Sequence, residues 1–126
     1  MTNERMLATL PVVLLVDDDA LARQLVARQL HGLAIVVEAE DGDDALCIAR
    51  QFRFDLVITD LEMPRLGGGA LLRALSALDP DGRRLLMTGS DVREIDALLR
   101  EQVIHGYVAK PFTARRLRQA VLAALD

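Results

Sequence analysis

The 126-residue chain contains few of the residues on which several large protein classes depend. Its single cysteine, Cys47, excludes an intramolecular disulfide, and no second cysteine or nearby histidine completes a zinc-binding set. We therefore expect Cys47 to be a small core residue in a protein of a reducing compartment. Aromatic residues make up only 3% of the chain and tryptophan is absent, so the core must be built from Leu, Val, Ile and Ala.

The sequence also lacks long apolar segments and an excess of positive charge. No apolar run approaches the roughly 20 residues that a membrane span requires, and the N-terminus lacks the basic start and long apolar region of a signal peptide. The formal net charge of -4 argues against a nucleic-acid-binding surface, since such surfaces neutralise phosphates with clustered Lys and Arg. These absences predict a cytoplasmic protein that neither spans a membrane nor binds nucleic acid directly.

What the sequence does have is a regular alternation of short apolar runs and helical patterns. The runs that predict strands are "VVLLV" (12–16), "AIVVE" (34–38), "DLVIT" (55–59), "RLLMT" (84–88) and "GYVA" (106–109). After these runs, apolar residues recur at spacings of three and four, as on one face of a helix. Five such units predict one domain, a doubly wound α/β sandwich with a mostly parallel sheet. We expect its core to span residues 11–125, after an N-terminal extension of residues 1–10.

Polar residues gather where the predicted strands end. Asp17 and Asp18 follow the first strand, and Asp60, Thr88 and Lys110 follow or end the third, fourth and fifth. Ligands of doubly wound sheets bind at the carboxyl ends of the strands. Three carboxylates, a hydroxyl and an ammonium at this edge suit a hard divalent cation such as Mg²⁺ together with a phosphoryl group. We expect Asp17 and Asp18 to hold the metal, whereas the third acid of the run, Asp19, caps the first helix.

These residues resemble the receiver domains of two-component response regulators. The likeness covers nearly the whole chain, through the segments "LLVDDDA", "DLVITDLEMP", "LLMTGS" and "GYVAKPF" in the family's order. The resemblance implies a flavodoxin-like fold with five helices and a five-stranded parallel sheet of order 2-1-3-4-5. It also implies that Asp60 is the phosphoacceptor, that Thr88 and Lys110 sense the phosphoryl group, and that Tyr107 is a switch residue.

The resemblance further implies a phosphorelay function. A sensor histidine kinase or phosphotransfer protein would donate a phosphoryl group to Asp60 in a Mg²⁺-dependent reaction. The side chains of Asp18 and Asp60 and the main-chain carbonyl of Glu62 would bind the metal, and Asp17 would hold a coordinated water. The Lys110-Pro111 peptide is expected to be cis. The protein would be a phosphoacceptor switch with at most slow self-dephosphorylation, not a turnover enzyme.

The signal would leave through the surface of helix 4, strand 5 and helix 5. This surface mixes charges that could dock an unknown downstream effector or pair across the two-fold axis of a homodimer, although a solvated face is an alternative. The charged residues are Arg93, Glu94, Arg100, Arg115, Arg116 and Arg118.

Two features depart from the expected pattern. Gly67 and Ala70 stand where receivers commonly have an acid and a Glu, which should weaken the first turn of the third helix by roughly 1 kcal/mol or more. We interpret the run Gly67 to Gly69 as a flexible loop. Glu62, two residues after Asp60, borders the route of water to the phosphoryl group, so its acidity bears on the lifetime of the phosphorylated state.

Two other functions are compatible with parts of the pattern. A phosphatase of the haloacid dehalogenase type also uses an Asp nucleophile, Mg²⁺ and a Lys, but its nucleophile follows the first strand. A degenerate receiver would have the fold without accepting phosphate, and the presence of the acids, Thr88 and Lys110 argues against it. Neither His31 nor His105 is expected in the site, because one ends a helical pattern and the other lies in a loop.

Overall fold

The computed structural model describes residues 10–89 and 92–126, in which five strands alternate with five helices. The predicted extension, residues 1–10, lies outside the described residues except for Leu10. The strands are β1 (Val12–Val16), β2 (Ile35–Ala39), β3 (Leu56–Asp60), β4 (Arg84–Thr88) and β5 (Tyr107–Ala109). The helices are α1 (Ala20–Gln29), α2 (Gly42–Gln51), α3 (Gly68–Leu78), α4 (Val92–Arg100) and α5 (Ala114–Leu125). Within these ranges, no helix has both the length and the apolar character needed to cross a membrane.

The strands form one parallel sheet in the order β2-β1-β3-β4-β5, which confirms the predicted fold. The predicted bounds of β1 and β4 are correct, while β2 and β3 begin and end one residue later than the apolar runs indicate. Asp60 is therefore the last residue of β3, paired with Met87 of β4. Because all strands run the same way, their carboxyl ends meet at one edge of the sheet.

The sheet separates two apolar layers. Val13 and Leu15 of β1 pack toward α1 and α5, while Leu14 and Val16 pack on the other face toward α2 and α3. All residues of β3 and β4 are buried, which explains why their sequences do not alternate between apolar and polar residues. The fully buried apolar side chains of the described residues are Leu, Val, Ile, Ala and Met, as the shortage of aromatics predicts.

The prediction for Cys47 is wrong, because this residue is exposed on α2. It lies two positions after Ala45, whose side chain is buried, and a two-residue step points to a different face of a helix. The Cys47 Sγ instead accepts a hydrogen bond from Gln51 Nε2 at 3.5 Å. The thiol is thus a surface group.

Side-chain capping differs between the helices. Asp19 caps α1, as predicted, by accepting hydrogen bonds from Leu21 N and Ala22 N, and Asp41 and Thr113 cap α2 and α5. Helix α3 begins after Gly67, which has no side chain to accept such a bond. The expected weakness of this first turn therefore has a structural basis.

The flexible-loop interpretation is wrong for Gly68 and Gly69, which are buried in the first turn of α3. A Cβ atom on Gly68 would collide with the main-chain carbonyl oxygen of Asp60 and lie 2.7 Å from Leu61 Cα. The Gly68 N–H also donates to Leu61 O at 2.9 Å. Helix α3 thus begins in direct contact with the backbone of the expected phosphoacceptor. Only glycine at position 68 permits this close approach.

Arg84, the first residue of β4, is a buried arginine that the sequence did not reveal as such. Its guanidinium donates to Val103 O at 2.6 Å, to Asp79 O at 2.9 Å and to Ser76 Oγ at 3.4 Å. Burial lowers the pKa of Arg84, against the opposing effect of the Asp79 charge. The side chain thereby joins the end of α3 to the connection between α4 and β5, at the edge of the sheet opposite Asp60.

Candidate functional site

The polar residues predicted for the site come from four neighbouring strands of the sheet. Asp17 follows β1, Asp60 ends β3, Thr88 ends β4 and Lys110 follows β5. The strand register holds these ends level, because Asp60 pairs with Met87 and Thr88 with Ala109. The Lys110 N–H donates to Thr88 O at 2.7 Å and continues this pairing beyond β5.

Three acids form a cluster at this edge. One carboxylate oxygen from each of Asp17, Asp18 and Asp60 lies within 4.8 Å of the others. Asp17 and Asp60 are buried, whereas Asp18 is exposed. The structure therefore brings together the three side chains expected to bind the metal.

The surroundings of Asp17 are electrostatically unfavourable for a charged carboxylate. Burial raises its pKa, and the charges of Asp60 and Asp18 add to this rise, while a hydrogen bond from Asp19 N and the Lys110 charge oppose it. Its Oδ1 accepts the Asp19 N–H at 2.9 Å, but its buried Oδ2 accepts no hydrogen bond from a described residue. A buried carboxylate oxygen without a donor, beside two further carboxylates, fits a hard cation with oxygen ligands such as Mg²⁺.

Arg23 of α1 supports the loop that carries Asp17. Its Nη1 donates to the main-chain carbonyl of Asp17 at 2.6 Å, and its Nε pairs with Glu38 at 3.1 Å. Sequence reasoning missed this residue, since an arginine within a helical pattern gives no sign of its partner.

Lys110 makes direct contact with the expected phosphoacceptor. Its Nζ lies 2.9 Å from Asp60 Oδ2. The peptide bond between Lys110 and Pro111 is cis, as predicted. Burial would lower the pKa of Lys110, but the hydrogen bond and charge of Asp60, with the charges of Asp17 and Glu62, outweigh it and raise the pKa. The ammonium is thus held in its charged form beside the acid cluster.

Thr88 and Tyr107 lie on the side of the site that faces α4. Thr88 is buried at the end of β4, while the Tyr107 side chain on β5 is 46% exposed. Both residues line a cavity of about 280 Å³, together with Leu99 of α4. The two residues expected to act in the switch thus border the same cavity.

Glu62 contributes a contact that the sequence did not indicate. Its N–H donates to Asp60 Oδ1 at 3.3 Å, and its exposed side chain reaches the loop after β4, where Oε1 accepts the Gly89 N–H at 3.4 Å. The sequence singled out the main-chain carbonyl of Glu62 and its place near the route of water. The side-chain bridge depends on how two loops face each other and has no sequence signal.

The two histidines lie outside this cluster, in agreement with the sequence-based expectation. His105 is at the opposite edge of the sheet, where its Nδ1 accepts the Arg84 N–H at 3.0 Å. Its own N–H donates to Arg84 O at 2.8 Å. His31 is an exposed residue after α1.

We expect Asp17→Asn to stabilise the metal-free protein by about 1 kcal/mol and to weaken Mg²⁺ binding at least about tenfold. The amide keeps the Oδ1 acceptor for Asp19 N and removes a buried charge beside Asp60 and Asp18. Urea unfolding without Mg²⁺ and calorimetric Mg²⁺ titration measure the two effects.

The same variant has a pH signature. Folding raises the pKa of Asp17, so ionisation of this group costs more in the folded protein than in the unfolded chain. The full stability is present at pH values below the pKa of Asp17 in the unfolded chain, and it is lost as pH rises through the higher pKa of the folded protein. Wild type should therefore lose stability over that range relative to Asp17→Asn. Asp43→Asn, at an exposed position in the first turn of α2, is the control for amide substitution. Equal stability of wild type and Asp17→Asn at neutral pH would contradict the electrostatic cost assigned to Asp17.

Comparison with known proteins agrees with this geometry. The sequence model of the response regulator receiver domain matches residues 13–122. The chain belongs to the response regulator receiver domain family. The receiver is 34% identical over 114 residues to the chemotaxis protein CheY of Pseudomonas aeruginosa, covering 86% of this chain and 91% of that protein.

Further similar proteins differ in how much of their length matches the receiver. It is 32% identical over 112 residues to the response regulator GacA of Pseudomonas aeruginosa, covering 86% of this chain but only 52% of that longer protein. A crystal structure of the chemotaxis protein CheY4 of Vibrio cholerae superimposes with a TM-score of 0.85 at 28% identity, covering 92% of this chain and 99% of that one. The receiver is thus similar to proteins of about its own length and to one part of a longer regulator.

Proposed function

We propose that this receiver accepts a phosphoryl group on Asp60 from a phosphohistidine of a sensor histidine kinase or phosphotransfer protein. The observation that carries the proposal is the 2.9 Å contact between Lys110 Nζ and Asp60 Oδ2 within the cluster of Asp17, Asp18 and Asp60. Family membership supports it, since the chain is a two-component receiver domain. The cytoplasmic location expected from the sequence is part of the same proposal.

The reaction requires little covalent chemistry from the protein. A carboxylate oxygen of Asp60 forms a bond to phosphorus while the bond between phosphorus and the donor's imidazole nitrogen breaks, and the electron pair of that bond stays with the imidazole. Negative charge on the phosphoryl oxygens needs cationic and hydrogen-bonding partners. Lys110 would supply the ammonium and Thr88 the hydroxyl. Water would later attack phosphorus, releasing inorganic phosphate and restoring the carboxylate.

Mg²⁺ would complete the site, because receivers of this family bind it at their acidic cluster and the oxygen donors here suit it. Asp18, Asp60 and the main-chain carbonyl of Glu62 would hold the ion, and Asp17 would hold one of its waters. When bound, the metal neutralises charge on the phosphoryl oxygens. The orphaned Asp17 Oδ2 is the structural feature that this arrangement accounts for.

The output would be a change in the surface formed by α4, β5 and α5. Movement of Tyr107 into the cavity beside Thr88 would alter this surface, which would then bind an effector or a second copy of the chain. Arg118, expected on this surface, instead contacts the end of α1 and the turn after it: its Nη1 donates to Gln29 O at 3.1 Å and His31 O at 3.3 Å. The remaining charged residues of α4 and α5 stay candidates for partner contacts.

The test uses acetyl phosphate as a small donor with excess Mg²⁺. Intact-mass spectrometry should show one added phosphoryl group per chain, and the gain should disappear when EDTA removes the metal. Absence of any gain at saturating Mg²⁺ would favour the degenerate receiver. Rapid multiple turnover of an unrelated phosphomonoester would favour the phosphatase.

A further inference from the structure

The Glu62 carboxylate lies across the opening of the site. It starts two residues after Asp60, on the loop that follows β3, and Oε1 accepts the N–H of Gly89, the first residue after β4. At its other end, the Glu62 N–H donates to Asp60 Oδ1. One residue therefore contacts the phosphoacceptor and bridges to the loop of the neighbouring strand.

Two donors contact the Asp60 carboxylate at opposite oxygens. Lys110 Nζ contacts Asp60 Oδ2, and the Glu62 N–H contacts Oδ1. A phosphoryl group on Asp60 would bring three acceptor oxygens and a charge near −2, and each oxygen would require a donor. The Gly89 N–H directly follows Thr88 at this edge, but in the unphosphorylated protein it is engaged by a carboxylate.

We propose that the Glu62 carboxylate is a built-in competitor of the phosphoryl group, which holds the Gly89 N–H and slows phosphorylation of Asp60. This inference rests on the proposed function. The incoming group must displace Glu62 Oε1 from Gly89 and approach against a like charge. Glu62 is thus a positioning residue. It acts by engaging the Gly89 N–H and by placing a negative charge near Asp60, and it does not react.

The expected effect of Glu62 on the phosphorylation rate is modest because its side chain is exposed to solvent. Glu62 is exposed, so its carboxylate can turn into water once it is displaced, and like-charge repulsion at the surface is screened. The charge nevertheless acts within the site, since it contributes to the raised pKa of Lys110. We expect removal of the carboxylate to speed phosphorylation by about three- to tenfold.

The experiment compares initial rates of phosphoryl gain from acetyl phosphate at saturating Mg²⁺, where the bond between phosphorus and the acetate oxygen breaks and acetate leaves. Glu62→Gln keeps the length of the side chain and removes its charge, and Glu62→Ala removes both charge and bridge. Glu40→Gln is the matched control, because Glu40 is an exposed acid just after β2 at the same edge of the sheet. Both Glu62 variants should react faster, and the control should stay within about twofold of wild type.

Two further readouts separate this role from a general change in structure. The acceleration in Glu62→Gln should shrink as salt rises, because salt screens the charge in wild type. The amide NMR signal of Gly89 should shift in unphosphorylated Glu62→Ala while signals of β1 and β2 stay in place.

The outcomes distinguish this inference from the proposed function. Phosphorylation of wild type and Glu62→Gln at equal rates would overturn the inference and leave the proposed function standing. Equal acceleration by Glu40→Gln would also overturn it, since any negative charge at this edge would then suffice. If neither wild type nor any variant gained a phosphoryl group, the proposed function and this inference would both be wrong.

Discussion

Asp60→Asn should abolish phosphorylation by acetyl phosphate completely, even at saturating Mg²⁺. The amide nitrogen cannot attack phosphorus as a carboxylate oxygen does, and Asp60 is the acid that Lys110 contacts at 2.9 Å. Among the described residues, Lys110 forms an ion pair with Asp60 and with neither Asp17 nor Asp18. Intact-mass spectrometry should therefore show one phosphoryl group on wild type and none on the variant.

The control is Asp81→Asn, an exposed acid at the opposite edge of the sheet, which should gain one phosphoryl group as wild type does. Circular dichroism checks that Asp60→Asn is folded. Borohydride reduction of the phosphorylated wild type converts the modified aspartate to homoserine, and peptide sequencing should locate it at residue 60. An equal mass gain in Asp60→Asn, or homoserine at another position, would show that the acceptor has been assigned wrongly.

Arg84→Ala should lower the free energy of unfolding by about 3–5 kcal/mol. The substitution leaves the carbonyls of Val103 and Asp79 without the donors that now lie at 2.6 and 2.9 Å, and it empties a space that a large buried side chain fills. Since the same guanidinium joins the end of α3 to the connection before β5, the substitution should lower the stability of the whole domain and not of one segment alone. Urea unfolding monitored by circular dichroism measures it.

A conservative substitution of Arg84 and a substitution of an exposed arginine serve as comparisons for this result. Arg84→Lys keeps the charge but not the planar group with donors in several directions, so it should also be destabilised, by less than Arg84→Ala. Arg53→Ala, at an exposed position near the same edge, should change stability by no more than about 0.5 kcal/mol. A loss below about 1 kcal/mol for Arg84→Ala would mean that water replaces the guanidinium at both carbonyls.

The layout of the fold could be predicted because the strands and helices have different apolar periods. Buried parallel strands give continuous apolar runs, and the acids and Lys110 follow them directly, so the sheet edge and its residues can be located from spacing alone. The capping role of Asp19 follows from local sequence in the same way, whereas the cis peptide before Pro111 is implied only by the resemblance to the receiver family.

The remaining features depend on contacts between segments distant in the chain. Arg84 begins an apolar run, and nothing in "RLLMT" reveals that its charge is buried against carbonyls 5 and 19 residues away. The bridge from Glu62 to Gly89 joins loops 27 residues apart. Phe52 continues the apolar spacing of α2, yet it is 63% exposed because the backbone at this position has already become extended.

The contact between Gly68 and the Asp60 carbonyl has a consequence for sequence variation in the run of three glycines. In a saturation library selected for folding and phosphorylation, position 68 should retain glycine alone, because even a methyl group would push α3 away from the acceptor strand. Position 67 should be permissive: its backbone is extended with φ -69°, and the nearest atoms to a Cβ there are 3.8 Å away. Asp and Ser should be enriched at 67, since either would cap α3. Two adjacent, chemically identical residues would thus evolve under opposite constraints.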